Sequence, residues 1–207
     1  AIEDYFFNYG HTKVLINEFY SYYFKNVEKL TPFDFKEALK YLIRDNRILL
    51  FNNKEYLTIS KIREMEEYIV SRLKKISNFP SDEFEKFNSS KLHKLQNEAI
   101  NVALNSNLSL ITGSPGTGKT LIINKLIKLL LSKYSSEDVV IVTPTGRATI
   151  NINKQSEIKA STIHSFLQWN IDKNIFEVNE KWPERIKVLI IDEFSMVDSA
   201  LFGAIMQ

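Results

Sequence analysis

The sequence predicts an α/β chain in two parts, and three observations carry that prediction. Runs rich in Val, Ile and Leu, "VVIVTP" and "IKVLIIDE", punctuate residues 92–207. They read as strands buried on both faces, as in a parallel sheet with helices on both faces. Residues 1–77 mix helical periodicity with one hairpin pattern and read as a small, separate α+β domain. Between the two, the polar stretch "SNFPSDEFEKFNSSK" reads as a linker over 78–91.

In the first part, "TPFDFKEALKYLIRDN" carries a helix start: Thr31 as N-cap, Pro32 at the first helical position, Asp34 in the first turn. Phe35, Ala38, Leu39, Leu42 and Ile43 then form one apolar face. In "RILLFNNKEYLTI" two β-rich runs flank Asn52-Asn53, whose short side chains tolerate the positive φ of a hairpin turn. Helices followed by a hairpin give a winged-helix-like outline. A further helix places Ile62, Met65, Ile69, Leu73 and Ile76 on one stripe. "NEFYSYYFKNV" has the aromatics to stack bases, but Phe19, Tyr20, Tyr23 and Phe24 stand at helical spacing and read more simply as core.

Composition narrows the classes. The 207 residues are 44% hydrophobic and 25% charged, with net charge +2, so neither global disorder nor a basic nucleic-acid tail is indicated. With no cysteine, disulfides, thiolate zinc and a cysteine nucleophile are excluded. Without a signal-like start or an apolar run of ~20 residues, the expected location is cytoplasmic. The chain starts at Ala1 and stops within the apolar pattern "SALFGAIMQ", so both ends read as the interior of a longer protein.

In the second part, "LHKLQNEAINVAL" predicts a helix and "LSLIT" a short strand leading into "GSPGTGKT". Gly113, Gly118, Lys119 and Thr120 satisfy G-x-x-x-x-G-K-[ST], and "LIINKLIKLLL" supplies the helix that must follow. Gly113, Gly116 and Gly118 let the backbone curl its N–H groups toward phosphates, and the helix adds the positive end of its dipole. Lys119 can reach β- and γ-phosphates, and the Thr120 hydroxyl can ligate Mg²⁺. The candidates for holding a nucleoside triphosphate are therefore Gly113, Ser114, Pro115, Gly116, Thr117, Gly118, Lys119, Thr120 and Leu121. In "VLIIDEFSMVD", Asp192 ends a buried strand, where it would hold the metal beside Thr120. Glu193 can act as general base on a water, which favours hydrolysis over transfer to a metabolite. Acids at a helix N-terminus would explain one such carboxylate, but not the pair downstream of a phosphate loop.

Four further stretches carry a resemblance: "KLQNEAI" (94–100), "TPTGRAT" (143–149), "STIHSFL" (161–167) and "IDEFSMVD" (191–198). In this order they resemble the motifs of superfamily-one DNA helicases of the RecD type, as in the alpha subunit of exodeoxyribonuclease V. "TIHSF" also matches the related Pif helicases. "YGHTKVLINEF" and the hairpin region look like the winged-helix segment of stand-alone RecD-like proteins. The resemblance implies a partial RecA-like P-loop NTPase domain over 92–207, using ATP and Mg²⁺, with Lys119, Asp192 and Glu193 catalytic. It makes Gln96 the reader of the adenine edge. It places Thr143, Thr145, Gly146, Arg147, Thr162 and His164 on single-stranded DNA, bound through its backbone without regard to sequence. A nuclease or helicase partner subunit is not identified by it.

Three residues depart from the family pattern: Thr149 and Phe194 stand where alanine is usual, and Ser165 where arginine is frequent. Taken singly, Gln96 reads as a solvated helix residue, His164 as a hydrogen-bonded histidine and Arg147 as a helix cap or ion-pair partner. A second motor domain would have to supply the arginine for the transferring phosphate, worth ~10³–10⁵ in rate. Residues 1–207 alone are therefore expected to bind nucleotide weakly and turn over negligibly. Two other classes stay open: a non-catalytic winged-helix binding module, and a P-loop ATPase that moves something other than DNA.

Overall fold

Thr31 and Pro32 start a helix as the sequence predicts. The Thr31 hydroxyl accepts the Asp34 N–H at 3.2 Å, and the Asp34 carboxylate accepts the Thr31 N–H at 2.8 Å. Bonds from the Thr31 hydroxyl, then from its backbone, hold the Asp34 carboxyl below its ordinary value. These details come from a computed structural model that describes residues 2–26, 31–181 and 183–207. The chain divides into two units, residues 1–70 with 198–203 and residues 71–197 with 204–207. The division falls inside the helix Ser60–Asn78, ahead of the stretch 78–91.

The first unit runs α1 (Ile2–Tyr9), β1 (Val14–Leu15), α2 (Ile16–Asn26), α3 (Pro32–Arg44), β2 (Ile48–Phe51), β3 (Tyr56–Ile59) and the start of α4 (Ser60–Asn78). Its sheet is antiparallel in the order β1-β3-β2, with Ile48 opposite Ile59 and Phe51 opposite Tyr56. The hairpin loop is longer than a two-residue turn: Asn52, Asn53 and Lys54 all take positive φ, and the Glu55 N–H returns to the carbonyls of Phe51 and Asn52. The aromatics of α2 are core. Phe19 is buried, and Tyr20, Tyr23 and Phe24 pack around Phe35 with ring centroids 5.0, 5.1 and 6.0 Å away.

The second unit contains α5 (Lys94–Leu104), α6 (Lys119–Leu130), β4 (Val139–Thr143), α7 (Gly146–Asn153), β5 (Ser161–Thr162), α8 (Ile163–Phe166), β6 (Trp169–Asn170), β7 (Ile175–Phe176) and β8 (Val188–Ile191). A 3₁₀ turn, Phe194–Met196, follows; α9 (Ser199–Ile205), most of which belongs to the first unit, ends the chain's regular structure. The sheet is parallel in the order β5-β4-β8, pairing Val142 with Ser161 and with Ile191. With α5, α6 and α7 packed on its residues, it forms a mixed α/β arrangement consistent with a partial RecA-like P-loop fold. Central β4 is almost wholly buried, whereas β8, at the edge, is half-buried along its length. Burial on both faces therefore holds for β4 but not for β8.

Two expectations are corrected here. "LSLIT" is not a strand: residues 108–112 join no ladder, Leu110 is 75% exposed, and only Ile111 packs into the core with Ile122, Val188 and Ile190. A strand exists only through a neighbour's hydrogen bonds, and among the described residues no strand pairs with this segment. Residues 78–91 are not a free linker throughout. From Asp82 to Ser89 the chain is strapped along α5 and to the end of α6. Backbone N–H groups of Phe84, Phe87 and Ser89 donate to the side chains of Asn105, Asn101 and Asn97 at 3.1, 2.8 and 2.9 Å. Phe84 and Phe87 pack into the core with Ile100 and Leu126. At the strap's start, Tyr134 bonds the Asp82 carboxylate and Lys133 pairs with it at 3.3 Å. Tyr134, chiefly through burial and then through Asp82, is pushed up to about 12. The Tyr134 hydroxyl, then Lys133, holds the Asp82 carboxyl low. No described helix is long and apolar enough to cross a membrane.

Candidate functional site

The glycine loop owes its shape to three local constraints. Gly116 and Gly118 take φ of +80° and +87°, a region costly for residues with a Cβ. At Gly113 a Cβ would lie 2.7 Å from the Thr117 hydroxyl, which itself donates to the Ser114 carbonyl at 2.8 Å. At Gly118 a Cβ would lie 2.7 Å from the Gln96 amide nitrogen. Lys119 folds back across the loop, its ammonium donating to the carbonyls of Gly113 at 2.7 Å and Ser114 at 3.1 Å. α6 has no side-chain cap, so its first N–H groups are left for a ligand. Residues 112–117 are exposed, as are Thr120 and Leu121, while Gly118 and Lys119 are half-buried. A loop whose glycines are held by positive φ or by close contacts, an adjacent ammonium and an uncapped helix start together fit a polyphosphate.

Gln96 sits against this loop. Its carbonyl accepts the His93 N–H at 3.0 Å, and its NH₂ donates to the Thr117 carbonyl at 3.0 Å. An amide has two donors and two lone pairs, so one of each remains. His93 caps the helix, its Nδ1 accepting the Leu95 N–H at 3.3 Å.

The acid pair comes to the same place. The Asp192 N–H donates to the Val142 carbonyl at 3.0 Å, which fixes Asp192 just past the end of β8 beside β4. Glu193 holds φ +55°, a left-handed backbone that is uncommon outside Gly, Asn and Asp. Thr120, Asp192 and Glu193 line one recess of about 350 Å³ with Ala148, Asn151, Ile152, Lys154 and Gln155 of α7 and its end. Among the described residues no side chain is bonded to either carboxylate. A hydroxyl and a free carboxylate are hard oxygen donors of the kind Mg²⁺ takes alongside phosphate.

The "TPTGRAT" and "STIHSFL" residues divide into frame and surface. Thr143, expected on the DNA, is fully buried, and its hydroxyl meets the Thr145 carbonyl at 3.0 Å and the Thr149 hydroxyl at 2.6 Å. Its side chain braces the turn and does not face outward. Thr149, unusual for the resemblance, completes that brace with a bond to the Thr145 carbonyl at 3.1 Å. Thr145 caps α7 by accepting the Ala148 N–H, and Thr162 caps α8 by accepting the Ser165 N–H. Gly146, Arg147 and His164 are exposed. Strand register puts Thr143 opposite Thr162, so both stretches leave the carboxyl ends of the sheet, where Asp192 also emerges. Ligands of open α/β sheets bind at that end.

Two features of this unit escaped the sequence reading. One is the asparagine ladder on α5, visible in retrospect as Asn at every fourth position from 97 to 105. The other is the β6–β7 hairpin, where Trp169 and Phe176 pair across strands at 4.7 Å and His164 packs on both. The two-residue strands are too short for periodicity to register.

A family model described as the AAA domain matches residues 96–207. The chain belongs to the AAA domain family. The AAA domain thus begins at Gln96 and takes in the glycine loop, the acid pair and both flanking stretches. The family carries an implication of nucleotide binding, and superfamily-one helicases are among the relatives. RecBCD enzyme subunit RecD of Haemophilus influenzae is 32% identical over 162 residues, covering 64% of this chain and 25% of the relative. ATP-dependent DNA helicase PIF1 of Saccharomyces cerevisiae is 35% identical over 121 residues, covering 53% and 13%. ATP-dependent DNA helicase dda of phage T4 is 36% identical over 97 residues, covering 44% and 22%. The chain thus spans a quarter or less of the length of these relatives. The RecD alignment takes in more of the chain than residues 92–207 contain, so it begins upstream of residue 92.

Proposed function

We propose that the chain is the front part of an ATP-dependent DNA helicase of the RecD type. A winged-helix-like domain (1–77) precedes the first RecA-like motor domain (92–207), and ATP hydrolysis drives the full-length protein along single-stranded DNA to unwind a duplex. The observation that carries this reading is one recess shared by Thr120, Asp192 and Glu193 at the sheet end from which "TPTGRAT" and "STIHSFL" also emerge. Bound ATP with Mg²⁺ supplies the phosphoanhydride bond whose hydrolysis releases the free energy. Lys119 places its ammonium for the β- and γ-phosphates, and the first turn of α6 offers N–H groups. Thr120 and Asp192 hold the metal, and Glu193 takes the proton of the attacking water. Gln96 keeps one donor and one lone pair, the pair that an adenine edge requires. On the DNA side Gly146 and Arg147 meet the backbone phosphates and His164 lies on the same surface. Thr145 and Thr162 hold the turns that present them.

The RecD type is favoured over the Pif type by the larger share of the chain that the RecD alignment covers, 64% against 53%, and by the helices and three-stranded antiparallel sheet of the N-terminal part. The test is ATP turnover and duplex unwinding by the full-length protein, with and without single-stranded DNA, beside Lys119→Ala. Single strands should stimulate turnover, and Lys119→Ala should lower it by about 10²-fold or more. Turnover indifferent to single strands overturns the DNA motor. DNA affinity indifferent both to nucleotide and to Lys119→Ala identifies a non-catalytic module instead.

A further inference from the structure

Nothing in the nucleotide chemistry above uses the strap over α5, yet the strap grips the helix that carries Gln96. Three asparagines, one per helical turn, act as a side-chain ladder for an extended backbone. Asn97 accepts the Ser89 N–H at 2.9 Å and donates to the Ser89 carbonyl at 3.0 Å. Asn101 accepts the Phe87 N–H at 2.8 Å and donates to the Phe87 carbonyl at 2.8 Å. Asn105 accepts the Phe84 N–H at 3.1 Å. Asn97 and Asn101 thus each satisfy both polar groups of one strap residue, as a neighbouring strand would. Asn97 is the residue next to Gln96, and its amide also reaches the carbonyl of Leu92 at 3.3 Å, just ahead of the His93 cap. Phe84, Phe87 and Leu92 join the core that holds Ile122, Leu126 and Leu130 of α6. At the other end Lys133 donates to the Glu83 carbonyl at 3.2 Å. The strap therefore binds together α5 and α6, whose N-terminal ends carry Gln96 and Lys119.

α5 is 11 residues long, a length at which an isolated helix is marginal and frays from its ends. The contact from Gln96 to the Thr117 carbonyl depends on the first turn of this helix, and the ladder fastens that turn to the strap alongside the His93 cap. We propose that Asn97 and Asn101 are positioning residues for nucleotide binding: through the strap they hold α5 so that Gln96 engages the glycine loop at Thr117 and keeps its remaining amide groups for the base. This inference rests on nucleotide binding at 113–120.

The experiment uses the full-length protein, with ADP titrated by calorimetry and amide hydrogen exchange of residues 113–120 followed without nucleotide. Asn101→Ala removes one acceptor and two donor bonds, since its amide also bonds the Asn97 carbonyl at 2.7 Å. Loss of about one net hydrogen bond's worth of alignment should weaken ADP by about fivefold to tenfold and speed exchange of the loop. In a Gln96→Ala background the same substitution should leave ADP affinity unchanged, because the route through Gln96 is already cut. An unchanged affinity in the wild-type background overturns the proposal. So does an equal loss in both backgrounds, which marks a general loosening of the fold. If Asn101→Ala does not fold, Asn101→Asp keeps the bond from the Phe87 N–H and should weaken ADP by about twofold to fivefold, with no change again overturning the proposal. Wild-type protein that binds no ADP removes the nucleotide reading and this inference together. Wild-type binding with insensitive variants removes only the inference.

Discussion

A methyl group at Gly118 tests the geometry of the nucleotide loop more directly than the loss of a charge. Two costs add at this position. The backbone holds φ +87°, where an L-residue is disfavoured by about 1–2 kcal/mol. The new Cβ would also stand 2.7 Å from the Gln96 nitrogen, so Gln96 must leave the Thr117 carbonyl and forfeit a hydrogen bond of about 1 kcal/mol. The total for Gly118→Ala is about 2–3 kcal/mol, or roughly 30-fold to 150-fold in nucleotide affinity if the loop must keep its shape to bind. Gly116→Ala separates the two costs. Its φ is +80°, but nothing lies within 4 Å of its Cβ, so it bears the backbone cost alone, about 1–2 kcal/mol. Gly146, with open space and no positive φ, is the neutral control. The assay is nucleotide affinity by calorimetry with loop hydrogen exchange alongside. If Gly118→Ala binds as well as Gly116→Ala, Gln96 does not lie on the loop and the site's base-side geometry is refuted.

Three other outcomes are expected. The strap's anchor should depend on pH at both ends. Asp82 is held low, so its contribution is complete above the ordinary carboxylate pKa of about 4 and is lost as pH falls through its lowered value. Tyr134 is raised to about 12, so its contribution is complete below about 10 and is lost as pH rises toward that value. Hydrogen exchange of residues 82–89 should accelerate at both extremes, and Tyr134→Phe should abolish the alkaline arm. Arg147→Ala should weaken single-stranded DNA binding alike for all sequences and lower the salt slope by about 0.7, measured as log affinity against log salt concentration. Lys54 holds φ +71° in an exposed hairpin loop, so Lys54→Gly should raise stability by about 0.5–1 kcal/mol in denaturant titration; a loss would mean that its backbone is not left-handed.

Features that depend on nearest neighbours along the chain were legible in the sequence; those that depend on what lies across space were not. The Thr31–Asp34 box uses residues three apart, and the glycine loop with Lys119 and Thr120 closes within eight residues, so local chemistry specifies both. "LSLIT" has the composition of a strand, but composition provides no partner for its backbone. The stretch 78–91 has the composition of a linker, yet three asparagines from a different element satisfy its amides, and no propensity records that. The acid pair lies between these cases. Its residues were legible, but its meeting with Thr120 rests on the parallel pairing of β4 with β8.

"TPTGRAT" shows why a motif's residues need not share one role. Thr143 is the fully buried end of β4, and a buried hydroxyl must find partners inside the protein. It finds the Thr145 carbonyl and the Thr149 hydroxyl, and Thr149 returns to the same Thr145 carbonyl. Alanine at 149 would leave Thr143 only the carbonyl, so the threonine at this position reinforces the turn without altering its exposed face. With Thr145 spent on the cap of α7, the charged group that this stretch presents to solvent is the Arg147 guanidinium, one turn from the residues lining the recess. The hydroxyls therefore hold the shape, and under the proposed function the arginine is the group left to meet a DNA backbone. On that reading one turn of α7 would face a DNA strand on its outer side and the recess of Thr120, Asp192 and Glu193 along its length, the minimum a motor would need for the state of one site to be felt at the other.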